Sequence, residues 1–178
     1  MTVQLVGLSR TELGARVDEV LDVYAEAMEV PPASARSRRS ILAAHLQRSG
    51  LRAVVAEEGE RMVGAAYGYE GRPGQWWHDQ VQEALTAKQA REWLLGAFEV
   101  CELHVRPALQ GTGVGRDLLG ALLDGLPCRT AVLTTPDTET RARRFYRAGG
   151  WVDLRRDLRF PGDPRTFAVL GLRIGSGA

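Results

Sequence analysis

The chain has 178 residues, 44% hydrophobic and 25% charged, with 23 basic against 22 acidic side chains and a net charge of +1. That composition suits one soluble domain over 1–178 and lacks the basic excess of a general nucleic-acid binder. Its two cysteines, Cys101 and Cys128, form no metal-type pair or disulfide framework. No basic leader precedes an apolar run, and nothing approaches the ~20 apolar residues of a membrane span, so a cytoplasmic protein is expected.

Alternation predicts a strand over Thr2–Leu8. Ser9 or Thr11 offers the N-cap of a helix with Leu13, Val17, Val20, Leu21, Tyr24 and Met28 at helical spacing, stopped by Pro31-Pro32. An arginine-rich helix follows over about 33–48, with Ile41, Leu42, His45 and Leu46 facing inward. Leu51–Ala56 and Met62–Tyr69 read as a hairpin around Glu58-Gly59-Glu60. After a loop at Gly71-Arg72-Pro73-Gly74 comes Gln75-Trp76-Trp77-His78, then a helix over Asp79–Leu95. Its apolar side holds Val81, Leu85 and Trp93 or Leu94. A strand over Ala97–Val105 breaks at Pro107. The glycine loop Gln110–Gly115 then opens a helix with Val114, Leu118, Leu119 and Leu122 inward. A strand over Thr130–Thr135 is followed by a helix starting at Pro136-Asp137, with Ala142, Phe145, Tyr146 and Gly149 on one face. Strands around Trp151–Leu158 and Thr166–Leu172 close the chain. There is no internal repeat, and the order implies an α/β protein with a mixed sheet and helices on both faces.

The strongest chemical signal is Val105-Arg106-Pro107-Ala108-Leu109-Gln110-Gly111-Thr112-Gly113-Val114-Gly115, a strand that runs through a glycine turn directly into a helix. Such a turn points backbone N–H groups into one concavity, and the helix start adds partial positive charge, which together make a seat for a pyrophosphate. A dinucleotide fingerprint fails, because its last glycine would fall on Arg116 or Leu118, and no GK[ST] marks a nucleotide P-loop.

Gln110-x-x-Gly113-x-Gly115 resembles the acetyl-CoA signature of the GNAT (GCN5-related) N-acetyltransferase family. Glu102-Leu103-His104-Val105-Arg106-Pro107 looks like that family's fourth strand, and Arg141–Trp151 like its later helix with a Tyr and a Gly-aromatic pair. One departure is Glu139, where members often have Asn. The resemblance implies an α/β (α+β) acyl-CoA N-acyltransferase fold, with a mixed, mostly antiparallel sheet of about seven strands. It also implies acetyl-CoA as cosubstrate, with no metal. The cofactor would be held by Leu103, His104, Val105, Gln110, Gly111, Thr112, Gly113, Val114, Gly115, Arg116, Ala142 and Phe145.

Acetyl transfer to an amine needs a neutral amine, a polarised thioester carbonyl and a proton for the leaving thiolate. Backbone N–H groups of Leu103–Val105 suit the second task. For the third, Tyr146 matches the family's tyrosine, and its phenol is protonated at neutral pH; the ordinary alternative is a core tyrosine. The base is Glu102 or Glu99, which fall on opposite faces of one strand, or neither. Glu99 stands eleven residues before Gln110, the spacing of the base in histone-type acetyltransferases. His104 could replace them. Tyr67, Tyr69, Trp76 and Trp77 could line an acceptor pocket, or the tryptophans could simply dock a helix. Arg36, Arg38, Arg39 and Arg48 read as a solvated face. The expectation is an N-acetyltransferase acting on a small-molecule amine, with a peptide or protein amine or a silent CoA-binding module as alternatives. A homodimer would be in keeping with the family.

Overall fold

The computed structural model describes residues 2–175. Strand β1 (Val3–Leu8) ends at Ser9, whose hydroxyl accepts from the Glu12 backbone N–H. The Glu12 carboxylate accepts in turn from the Ser9 N–H at 2.7 Å, and this reciprocal cap starts α1 (Arg10–Ala15). The single helix expected here is two, because the chain leaves helical geometry at Arg16 (φ −109°, ψ 19°) before α2 (Val17–Ala27). The Arg16 guanidinium is drawn to Glu19 and to Glu57 in the sheet.

The next expected helix is also divided, into α3 (Pro32–Arg36) and α4 (Arg39–His45). The Ser37 hydroxyl donates to the Ser34 carbonyl at 2.7 Å between them, a local bond that competes with helix propagation. The break changes the helical phase. Leu42 is buried, His45 and Leu46 are half-buried, and Ile41 is exposed rather than inward. Strands β2 (Arg52–Glu58) and β3 (Arg61–Glu70) form the expected hairpin.

Helix α5 (Trp76–Ala84) begins earlier than expected, and α6 (Ala87–Trp93) restarts after Leu85 on a capping box between Thr86 and Gln89. Strand β4 (Phe98–Val105) leads through a 3₁₀ turn (Pro107–Leu109) to α7 (Val114–Leu123). Strand β5 (Thr130–Pro136) then keeps Pro136, and α8 (Arg141–Ala148) starts on the Thr140 cap instead of at Pro136-Asp137. Strands β6 (Val152–Leu158) and β7 (Phe167–Arg173) finish the chain.

The sheet has seven strands in the order β1-β2-β3-β4-β5-β7-β6. β4 pairs parallel with β5 through Phe98↔Ala131 and Glu99↔Val132, while the β1–β2, β2–β3, β5–β7 and β6–β7 ladders are antiparallel. This is the mixed, mostly antiparallel sheet expected. Its terminal strand β6 is largely exposed, with register shifts at Asp153/Arg155 and Arg155/Leu158.

The chain divides into two compact units, one comprising the residues up to Tyr69 with Val100–Asp124, the other Glu70–Glu99 with Gly125 onward. In the first, Leu13, Val17, Val20, Leu21 and Leu42 pack on Val55, Met62, Ala65 and Tyr67. Gly64 permits close approach there, since a Cβ would lie 2.8 Å from Leu118 and 3.2 Å from the His104 carbonyl. In the second, Val81, Leu85 and Leu94 pack on Ala97, Val132, Val169 and Phe160.

Helix α8 departs from its expected pattern. Its buried residues are Arg143 and Tyr146, while Phe145 is half-buried and Ala142 and Gly149 are exposed. Arg143 is 0% exposed and reaches Asp153 at 2.7 Å, Asp137 at 3.4 Å and Glu139 at 3.7 Å. A buried guanidinium is tolerable only with such partners. Burial alone pushes the Asp137 carboxyl up, but the Asp157 N–H, Arg156 and Arg143 together hold it below its ordinary value. Its contribution to stability is therefore full above the unfolded value of about 4 and is lost as pH falls through the folded one. Asp137→Asn should lower the thermal midpoint at pH 7 by the equivalent of about 1–3 kcal/mol. The gap to the wild type should close as pH falls below about 4. A gap independent of pH would assign the loss to packing.

Candidate active site

The glycine loop is built from its own hydrogen bonds. The Gln110 side-chain amide donates to the Val105 carbonyl at 2.9 Å, fixing the loop to the end of β4, and the Thr112 hydroxyl donates to the Leu109 carbonyl at 2.7 Å. Gly113 stands at the N-cap of α7 in the left-handed region (φ 106°), a conformation that favours glycine. As a glycine it gives the helix no side-chain cap, and among the described residues a Cβ on Gly113 would meet nothing within 4 Å. The positive end of α7 thus opens on free space, as a phosphate-bearing ligand requires. Val114 is buried and anchors the helix, while Gly111, Thr112 and Arg116 are exposed and Gly115 is half-buried.

At the C-terminal end of β4, the Arg106 N–H donates to the Val63 carbonyl at 2.9 Å and its Nε to the Met62 carbonyl at 2.8 Å. Two residues apart on this strand, Glu102 and His104 share a face. Glu102 Oε2 lies 2.5 Å from His104 Nε2, and Glu102 Oε1 accepts from Arg38 Nη2 at 2.5 Å. The Arg38 guanidinium also lies over the Tyr24 ring, 4.6 Å from its centroid, and the His104 ring meets Tyr24 edge-on at 5.1 Å. Together with Tyr67 and the apolar Val20, Leu21 and Ile41, these side chains line a cleft of about 10 Å³, room for roughly one water.

The charges in this cleft are strongly biased. Burial pushes the Glu102 carboxyl up, but the hydrogen bond and charge of His104, with the charge and hydrogen bond of Arg38, outweigh it and hold it below its ordinary value. Glu102 is thus a carboxylate at neutral pH. Burial works against the Arg38 charge, yet Glu102 raises its affinity for the proton overall. Tyr67, mainly through burial, is pushed far above the usual phenol range. Its hydroxyl lies 3.1 Å from His45 Nδ1, and burial favours the neutral form of that histidine.

Of the residues singled out from sequence, the first unit therefore gathers Glu102, His104 and Tyr67 in one cleft and positions the loop from Gln110 to Arg116. Leu103 is half-buried and Val105 buried on the same strand. Tyr69 is 2% exposed against the His45 ring at 5.2 Å and is not among the residues lining the cleft. The others belong to the second unit. Glu99 is 4% exposed, in the parallel ladder opposite Val132. Tyr146 is buried between the rings of Phe145 and Trp151, at 5.2 and 5.5 Å. Trp77 donates its indole N–H to Thr134 Oγ1 at 3.1 Å and packs on the second core, so it docks α5. Trp76 is 57% exposed, against Phe160 at 5.3 Å.

Sequence reasoning missed Arg38 and Tyr24. Arg36 and Arg39 behave as a solvated face, pairing with Asp22 and Asp18. Arg38, one step out of phase at the α3–α4 break, turns inward to Glu102. Ser37 beside it was the only available signal.

The Acetyltransferase (GNAT) family pattern matches residues 17–150, which include the glycine loop and α8. A GCN5-like protein acetyltransferase of Mycobacterium tuberculosis is 34% identical over 201 residues, covering 96% of this chain and 98% of that protein. Among solved structures, a GNAT-family protein of Desulfovibrio desulfuricans shares the fold with a TM-score of 0.69 at 18% identity, over 97% of this chain and 99% of that one. A Salmonella typhimurium protein solved with its cofactor acetyl-CoA gives a TM-score of 0.64 at 16% identity, over 100% and 97%. With a family match over well more than half its length and an open glycine loop at the start of α7, the chain belongs to the GNAT acetyltransferases, enzymes that draw their acetyl group from acetyl-CoA.

Proposed function

We propose that the chain, acting as a single cytoplasmic domain, transfers acetyl from acetyl-CoA to a primary alkyl amine by direct attack within a ternary complex, and that the amine is a protein lysine. The observation behind this reading is a narrow, aromatic-walled cleft with an ionised carboxylate, Glu102, fixed beside His104. Apolar walls suit the methylenes of an extended amine, and the carboxylate suits its ammonium. The sequence alone favoured a small molecule. The Mycobacterium tuberculosis relative is named a protein acetyltransferase, and that tips the choice toward a protein.

The loop N–H groups of Gly111 and Gly113–Gly115 would hold the pyrophosphate, those of Gln110 and Thr112 being donated to the Pro107 and Leu109 carbonyls, with Arg116 close enough in sequence to touch a phosphate. Acetyl-CoA supplies a thioester whose carbonyl carbon accepts the amine. The Leu103–Val105 backbone, beyond the two-residue ladder to β5, has N–H groups suited to polarise that carbonyl. Glu102 holds His104 by Nε2 and stabilises the imidazolium formed when His104 takes the ammonium proton. In this reading Glu102 rather than Glu99 serves the base, because Glu102 lines the cleft. As the C–N bond forms and the C–S bond breaks, Tyr146 gives its proton to the sulfur and recovers one from the nitrogen as that becomes an amide; a buried phenol flanked by aromatic rings is held in place for this.

Calorimetric titration with acetyl-CoA is the primary test. Gly113→Glu, folded by circular dichroism, should bind roughly 100-fold more weakly, about 2–3 kcal/mol of charge-assisted hydrogen bonds; equal binding would remove the loop from the site. Tyr146→Phe should lose about 100-fold or more in kcat with acetyl-CoA affinity unchanged, and unaltered turnover would make it a core tyrosine. Glu102→Gln should lower kcat/KM by about 100-fold at pH 7 and regain rate toward pH 10, where the amine arrives already deprotonated. A pH profile like that of the wild type would show that no protein base is used. A lysine peptide and free amines, compared by thiol release, decide the acceptor class.

A further inference from the structure

We propose that Arg38 is the specificity-determining residue of the acceptor cleft: its guanidinium occupies the seat of the acceptor's ammonium, so only an amine that displaces it is acetylated. The inference rests on the reading of that cleft as the acceptor site. An alkylammonium entering it needs a carboxylate oxygen for its N–H groups and an aromatic face for its charge. Both are taken. Of the two Glu102 oxygens, Oε2 faces His104 Nε2 and Oε1 accepts from Arg38, each at 2.5 Å. The Tyr24 face carries the same guanidinium at 4.6 Å. The remaining cleft, about 10 Å³, cannot hold a methylene chain.

Arg38 is also placed to leave. It sits at the bend between α3 and α4, and its side chain is 35% exposed against 15% for Glu102, so it can turn outward on its own stem without moving the strand. Its flanking arginines do not compete for the seat, being held by Asp22 and Asp18. Conversely, when Arg38 leaves, the half-buried Glu102 charge loses one of its two partners, and the incoming ammonium restores it.

A tethered cation acts at an effective concentration on the order of millimolar or above, so a free amine competes poorly with it. A lysine on a protein brings binding energy from contacts outside the cleft and can spend it on the displacement. Arg38 therefore selects protein-borne lysines over small free amines.

The test uses the intact protein with n-butylamine and a lysine peptide as acceptors. Arg38→Met should lower the KM for n-butylamine about tenfold or more, and so narrow the preference for the peptide. Arg38→Lys, which restores a tethered cation, should return KM toward the wild-type value. A second readout is independent of turnover: millimolar n-butylammonium should raise the thermal midpoint of Arg38→Met and leave that of the wild type unmoved. A higher KM in Arg38→Met would overturn the inference by making Arg38 a binder of the acceptor, as would a butylammonium shift equal in the two proteins. Failure of the wild type to bind acetyl-CoA would instead defeat the acetyltransferase reading, with the thermal-shift comparison still deciding whether Arg38 fills a cation seat.

Discussion

A carboxylate placed in the middle of a strand and mostly shielded from water has to be matched by positive charge, and Glu102 imposes that condition on everything around it. Arg38 supplies that charge from the bend between α3 and α4 and His104 a ring nitrogen from the same strand, while the Tyr24 ring on α2 packs against both side chains. Two stretches far apart in sequence, β4 and the α3–α4 bend, thus meet at one carboxylate. The helix break at Ser37, which looks like a local irregularity, is what turns Arg38 inward while its neighbours stay on the surface.

The two units bury charge in different ways. In the second, Arg143 is wholly buried and paired with Asp137, Asp153 and Glu139. Such a cluster can only hold α8 against the ends of β5 and β6. In the first, one member of the ion pair is a third exposed and hangs on a long stem, so the same electrostatic requirement can be met by a different cation. The cation itself makes the difference: the Arg143 side chain is 0% exposed and the Arg38 side chain 35%.

The strands were legible from sequence because alternation marks them directly, and the glycine loop was legible because a strand, a turn rich in glycine and a helix follow one another without a gap. Helix ends were harder. Apolar spacing runs unbroken through Arg16, Ser37 and Thr86, and the breaks arise from side-chain hydrogen bonds that spacing does not register. The inward face of α8 was misread in part for a related reason: counting apolar residues selects Ala142 with Tyr146, whereas the residue buried with Tyr146 is Arg143, whose partners Asp137 and Asp153 lie outside the helix. Trp77 shows the same limit, as its docking role depends on Thr134, distant in sequence.

Strand β6 stands at the end of the sheet, with nothing beyond it in the strand order. An edge like this presents unpaired peptide groups on which another chain could grow a strand. Here the outer run reads Arg155-Arg156-Asp157, the pairing slips twice along its length, and Asp157 takes a left-handed turn of the backbone (φ 57°). A charged, kinked border cannot template a flat extension. The irregularity that blurs its register is thus of the kind that discourages edge-to-edge pairing of strands.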